Sequence, residues 1–286
     1  MSGAMIFKKA GLHTSIQDMG RYGYRKFGVP VSGSMDQNSA IRANLLVGNP
    51  AQAPVIEMTV VGPTIVFNAN VNIAIVGADL SPKLDKKPIP LNTRLIVHEG
   101  QTLEFGKCKM GIRAYLAIAG ELDVEKIMKS TSQYPQITNL SKITDGLEIG
   151  LKNNRFLDGV SASVRVDKKY FSEKVLEVFP GPEYNLLQEE QLKSIFEQTW
   201  TVGPNNRMGY QLINELMPGH TREIITTQVI PGTIQLTPAG KLLALMRDAQ
   251  VTGGYPRVLQ LTELSINILA QKMERTKVQF RIAEND

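Results

Sequence analysis

A chain of 286 residues, 42% hydrophobic and 21% charged, has the make-up of a soluble globular protein and is long enough for one large domain or two of about 140 residues each. Its net charge of +5 is spread out: the densest basic runs, Lys83–Lys87 and Lys168–Lys169, hold or adjoin acids, which argues against nucleic acid and suits attraction of small anionic substrates. The single cysteine, Cys108, excludes a disulfide framework, and with no apolar run near the ~18–20 residues of a membrane span and no leader-like start, a cytoplasmic protein without membrane contact is expected.

After a short lead, Ala10–Gly23 mixes three glycines with Asp18, Arg21 and Tyr22, an irregular loop of the kind that displays functional groups. Gly28-Val-Pro-Val-Ser-Gly-Ser-Met-Asp36 follows and opens a helix in which Ala40, Ala43, Asn44 and Val47 fall on one stripe. Ser34 or Asp36 can cap its start, and Gly48 with Pro50 ends it. From Pro54 the pattern becomes short β-rich runs at 55–61, 64–67, 71–76, 93–97, 102–105 and 112–118, separated by Gly, Pro and Asn turns. Residues 122–128 read as a short helix and 130–139 as a polar loop. A second β-run starts near Val175, followed by a helix with Leu192, Ile195 and Phe196 on one face. Strands follow near 224–229, 231–236, 242–246 and 258–261, then a helix over 263–273 and a closing strand at 277–282. The whole is mainly β with a few helices, as in sandwiches or closed barrels.

An internal echo accompanies this pattern. Gly28-Val-Pro…Ser34-Met35 is similar to Val202-Gly-Pro…Arg207-Met208, and Gly62-Pro-Thr-Ile-Val-Phe67 to Pro231-Gly-Thr-Ile-Gln-Leu236. Duplicated halves and chance between Gly/Pro turns both explain it. If duplication is the cause, two β-rich domains meet near 165–175, and a cleft between them is a natural ligand site.

Several chemistries lack their motifs. There is no G-x-x-x-x-G-K-[ST] phosphate loop, no G-x-G-x-x-G after a strand and no G-x-S-x-G elbow. His13, His98 and His220 show no metal-ligand spacing, so no metal is expected. What remains are polar groups on Gly-rich turns: Arg21, Asp36, Arg207, Asp248, Thr252 and Tyr255. An arginine offers a planar fork for carboxylate oxygens, and an Asp can hold or move a proton. The N–H groups of Ser34, Met35 and Asp36 at a helix start, and those of Gly253 and Gly254, are candidates to face an oxyanion. Each of these turns is equally explained by a need for glycine on dihedral grounds.

The segments Thr14–Gly23, Gly28–Asp36, Ala43–Asn49, Ile56–Pro63, Arg207–Tyr210, Pro231–Gln235 and Thr252–Pro256, taken in order, resemble the family of the 5-oxoprolinase C subunit, also called biotin-dependent carboxyltransferase or allophanate hydrolase subunit 2. The resemblance implies two cyclophilin-like β-barrel domains, placed at 1–170 and 171–286. It also implies a partner like the B subunit of 5-oxoprolinase and a third subunit, with ATP driving hydrolysis of 5-oxo-L-proline to L-glutamate in the complex. The chain departs from the family pattern at Glu121, along 130–139 and at Thr226-Thr227-Gln228, which leaves substrate identity open.

Three functions follow as expectations. The first is an ATP-dependent 5-oxoprolinase subunit, inactive alone. In it Asp36, Arg207 and Asp248 serve the chemistry, and Arg21, Ser34, Met35, Thr252, Gly253, Gly254 and Tyr255 hold the substrate. The second is a carboxyltransferase subunit of the urea carboxylase type, using biotin carried by another chain because no Met-Lys-Met site is present. The third is a regulatory protein that binds a kinase-inhibitor-like partner and catalyses nothing.

Overall fold

The computed structural model describes residues 3–153, 156, 162–216 and 224–284. His220, one of the three histidines considered as metal ligands, lies outside the described residues. By contact the chain falls into two units, one made of Met1–Arg21 and Ser32–Lys168, the other of Tyr22–Val31 and Lys169–Asp286. The fold is mainly β, with four short helices among the described residues.

In the first unit the strands form two antiparallel sheets. The larger runs in the order Glu121–Asp123, Glu148–Lys152, Gly3–Lys9, Thr64–Phe67, Thr102–Glu104, Lys83–Leu84 and Lys87–Pro88. The smaller runs His13–Gln17, Val55–Thr59, Met110–Ile118, Val71–Asp79 and Arg94–Val97. Met5, Phe7, Ile65 and Phe67 from the first sheet pack with Ile56, Met58, Ile73 and Leu116 from the second in one buried core. Because strand side chains alternate between faces, Ala74, Val76, Tyr115 and Ala117 point the other way. There they meet Ala40, Ala43, Leu46 and Val47 of helix α1 and its cap, Gln37–Leu46. Burial on both faces explains why the central strands read as nearly continuous apolar runs.

The second unit closes its edges as a barrel of Val175–Pro180, Arg257–Leu261, Thr233–Leu236, Lys241–Leu245, Gly209–Glu215, Trp200–Asn205 and Lys277–Ile282. Closure leaves no strand edge unpaired. Trp200, Val202, Tyr210, Leu212, Ile234 and Leu242 are buried within it, and the Trp200 indole N–H donates to the Ile195 carbonyl at 3.0 Å. Helices α2 (Lys169–Ser172), α3 (Glu189–Glu197) and α4 (Glu263–Leu269) belong to this unit. Thr262 caps α4 by accepting from the Ser265 N–H.

Four local expectations are corrected. Residues 122–128 form no helix: Leu122 pairs with Leu151 in an edge strand, and Met128 and Lys129 take positive φ values of 51° and 66° that no α-helix admits. The last helix stops at Leu269 rather than Met273, since Gln271 and Lys272 bond three residues back in tightened turns. In α3 the predicted face is only partly used, with Ile195 buried beside Gln191 while Leu192 and Phe196 are half-exposed. The strand expected over 224–229 shrinks to Thr227–Gln228. The internal echo holds at one place: Gly62 and Gly232 each precede a strand, whereas Val202 lies in a strand and Gly28–Met35 does not.

Candidate functional site

In the first unit the turn before α1 is bound on every side. Ser32 sits at φ 58° and Gly33 at φ 93°, and a Cβ on Gly33 would lie 2.9 Å from the Gly20 nitrogen, so only glycine fits there. The Ser34 N–H donates to the Asp18 carbonyl at 2.8 Å, the Met35 N–H to Glu57 Oε2 at 2.7 Å and the Asp36 N–H to the Tyr115 hydroxyl at 2.7 Å. The expectation that these three amides face a ligand oxyanion is therefore corrected: protein acceptors hold them. Asp36 is the N-cap of α1, its carboxylate taking the Ser39 N–H at 3.1 Å and the Ser39 hydroxyl at 2.7 Å. Ser32 and Ser34 are fully buried, and their hydroxyls have no partner among the described residues. Burial, with the fields of Glu57 and Asp36, pushes the Tyr115 phenol well above its usual range.

Beside this turn, Asp18 and Arg21 clasp the 127–133 segment. The Asp18 carboxylate accepts from the hydroxyls of Ser130 (2.7 Å) and Ser132 (2.6 Å) and from the backbone N–H of Thr131 (2.7 Å) and Gly20 (2.8 Å). Burial alone would raise its pKa, but these bonds together outweigh it and hold the group below the ordinary carboxylate value. Arg21, fully buried, donates to the carbonyls of Ile127 at 3.1 Å and Ser132 at 2.8 Å. That places Arg21 as a clamp on the loop, away from open surface.

The second unit brings two predicted residues together. Arg207 and Asp248 form a buried pair, Nε to Oδ2 at 2.7 Å and Nη2 to Oδ1 at 3.0 Å. Their backbones are tied as well, the Asp248 N–H donating to the Arg207 carbonyl and the Met246 N–H to that of Met208. Thr252–Gly253 pairs with Thr227–Gln228 in a two-stranded ladder. A Cβ on Gly253 would lie 2.6 Å from the Gln235 amide nitrogen, which itself donates to the Tyr255 carbonyl, so a larger residue there would have to displace that side chain; a Cβ on Gly254 would make only ordinary contacts, at 3.8 Å. Thr252, Gly254 and Tyr255 are exposed.

The segments that Arg207 and Asp248 join also wall a cavity of about 410 Å³ on the barrel, lined by Asn206, Met208, Gln211, Lys241, Leu243 and Gln250 among others. That volume suits a small organic ligand. Sequence reading missed Lys241 and Gln211, because a polar residue alternating along a strand looks like any solvated face, and Gln250, which lies in a connection between strands. It also missed the buried Glu57, for which a signal existed: one acid inside the apolar run Val55–Thr59. Among the described residues no group of three or more His, Cys, Asp or Glu could hold a metal ion.

The family model described as carboxyltransferase domain, subdomain A and B, matches residues 27–282. The chain belongs to this carboxyltransferase-domain family. It is 33% identical over 271 residues to the C subunit of 5-oxoprolinase from Escherichia coli K12, covering 92% of this chain and 86% of that one. It is 47% identical over 125 residues to urea amidolyase of Saccharomyces cerevisiae, covering 43% of this chain and 7% of that protein. The crystal structure of TTHA0988 superposes with a TM-score of 0.91 at 26% identity; it matches 98% of this chain, which spans 56% of the length of TTHA0988. The carboxyltransferase match takes in the Ser34–Asp36 turn, the Arg207–Asp248 pair and the Thr252–Tyr255 turn, and leaves Asp18 and Arg21 outside it. No described helix is long and apolar enough to cross a membrane.

Proposed function

We propose that this chain is a subunit of an ATP-dependent 5-oxoprolinase, working in the cytoplasm with a chain like the B subunit of that enzyme and a third subunit, and inactive alone. The observation that carries this reading is the 33% identity that runs through 92% of the chain and 86% of its Escherichia coli relative. A lactam amide is stable, so opening it uphill requires phosphoryl activation of the amide oxygen before water attacks. The task left to this chain is to hold the small anionic substrate. Of the predicted residues, Thr252, Gly253, Gly254 and Tyr255 offer the turn for that purpose, and Arg207 with Asp248 ties together segments that wall the barrel cavity.

The described residues do not fit the triphosphate of ATP. The helix-start amides that would receive a phosphate are taken by Asp18, Glu57 and Tyr115, and Lys241 is the one cation among the described residues lining the barrel cavity. The nucleotide is accordingly assigned to the partner chains. Co-expression with the two partner subunits and an assay of ATP-dependent glutamate release from 5-oxo-L-proline tests the reading; an assembled but inert complex would overturn it.

The higher local identity to urea amidolyase, 47% over 125 residues, favours a second reading, carboxyl transfer from biotin on a separate carrier chain. Carboxylation of urea by the assembled complex, with no glutamate formed, would select it.

A further inference from the structure

A cavity of about 160 Å³ opens in the first unit, where the end of the edge strand Glu121–Asp123, the loop residues Thr131 to Leu140 and the start of Glu148–Lys152 come together. Every charged residue among the described residues lining it is an acid, namely Asp123, Glu125 and Glu148, against an overall chain charge of +5. Asp123 pairs with Lys152, and the Asn139 amide donates to Glu125 Oε2 at 2.8 Å. The Glu148 carboxylate has no ion pair or hydrogen bond with any described residue. These acids form no group that could hold a metal ion, so their complement is an organic cation.

Gln133 adds a requirement of its own. It is only 8% exposed and is locked to strand His13–Gln17: its backbone N–H donates to the Ile16 carbonyl at 2.9 Å, and its side-chain Oε1 accepts the Ile16 N–H at 3.0 Å. That second bond fixes which end of the amide is oxygen. The NH2 end of this cavity-lining side chain has no acceptor among the described residues. The hydroxyls beside it are already committed, Thr131 to Asp18 and Thr138 to the Leu140 carbonyl. Ile16, Leu147 and Ile149 supply an apolar wall.

Acids, one fixed N–H donor and an apolar wall together call for a cation, one acceptor near it and an aliphatic stem. A carboxylate on the ligand would be repelled by the acids, whereas an amide carbonyl would not. The volume lies below the roughly 300–1,000 Å³ of sites for drug-sized ligands, so one residue's worth of ligand fills it. We propose that this cavity binds an aliphatic primary amine with a neighbouring amide carbonyl, as in an amino-acid amide or at a peptide N-terminus, with Glu125 and Glu148 holding the ammonium and Gln133 donating to the carbonyl. The site does not depend on the 5-oxoprolinase reading, whose substrate is an anion.

Titration calorimetry on the full chain with L-leucinamide as the probe tests it. L-Leucinamide should bind saturably, and more weakly as ionic strength rises. N-Acetyl-L-leucinamide (no ammonium), L-leucine (a carboxylate added) and isoamylamine (no carbonyl) should each bind at least about tenfold more weakly. The double variant Glu125→Gln/Glu148→Gln should weaken L-leucinamide binding about tenfold with circular dichroism and melting temperature retained. Gln133→Met should erase the preference for L-leucinamide over isoamylamine. Absence of L-leucinamide binding, equal binding of the acetylated compound, L-leucine or isoamylamine, or affinity untouched in the double variant overturns the site. The amide of Leu-Gly-Gly separates the two sources: affinity equal to that of L-leucinamide assigns a peptide N-terminus, a loss of about tenfold or more assigns a free amino-acid amide, and either sustains the site.

Discussion

Both carboxylate oxygens of Asp248 are taken by a single guanidinium, that of Arg207, at 2.7 and 3.0 Å, with the two side chains only 8% and 10% exposed. A pair so enclosed is dangerous to halve, because the survivor is a buried charge that has lost its bidentate counter-ion. Arg207→Met or Asp248→Asn should each destabilise the protein by about 3–5 kcal/mol, and the double variant Arg207→Met/Asp248→Leu by less than either. Urea denaturation of the three variants measures this, and full additivity would remove the coupling.

Asp18 gives a pH prediction. Its folded pKa lies below the unfolded value of about 3.9, so between the two the unfolded chain binds more protons. The stability it confers is complete above about pH 4 and is lost as pH falls through the folded value. Asp18→Asn should cost roughly 3 kcal/mol at neutral pH, since an amide group would meet hydroxyl and N–H donors that need an acceptor. The variant's stability should also fall less steeply than the wild type's on acidification, as read by denaturant midpoints from pH 5 to pH 2.

Tyr115→Phe removes the acceptor of the Asp36 N–H while conserving the ring that packs against α1. A buried donor left unsatisfied costs about 1–3 kcal/mol. Hydrogen exchange at the first turn of α1 should speed up more than exchange in the sheet; uniform acceleration would place the effect elsewhere.

Lys272 is buried and donates to the Phe171 carbonyl at 2.7 Å. Desolvation brings its pKa down to about 8, with Glu173 opposing and Lys174 adding to the drop. Between pH 8 and the unfolded value of about 10.4 the unfolded chain holds the extra proton, so stability attributable to this group rises with pH across that window. Lys272→Met should abolish the rise, measured as the difference in denaturant midpoint between wild type and variant from pH 7.5 to pH 10.

Central strands such as Val71–Asp79 and Met110–Ile118 were legible in the sequence because their nearly continuous apolar runs encode burial on both faces directly. So was the Asp36 cap, whose chemistry is local. The short helix expected at 122–128 was not, because partnership with Leu151 is a long-range fact that overrode a local preference. The engagement of the Ser34–Asp36 amides was equally hidden. Their acceptors, Asp18, Glu57 and Tyr115, lie 16 to 79 positions away, and nothing in a Gly/Ser loop announces who will occupy its N–H groups. The cavity residues Lys241, Gln211 and Gln250 went unread for the same reason, since only the folded hairpin sets them around one space.

Residues 22–31 carry a practical consequence. Although early in the sequence, they belong to the unit completed by Lys169–Asp286, where the Arg25 guanidinium donates to the carbonyls of Val229 and Val251. A single scission near position 170 would therefore leave the later fragment short of ten residues of its own unit and the earlier fragment carrying them as a foreign insert. Separate production of the two units calls for transplanting that decapeptide onto the later half, and bridging Arg21 to Ser32 in the earlier one.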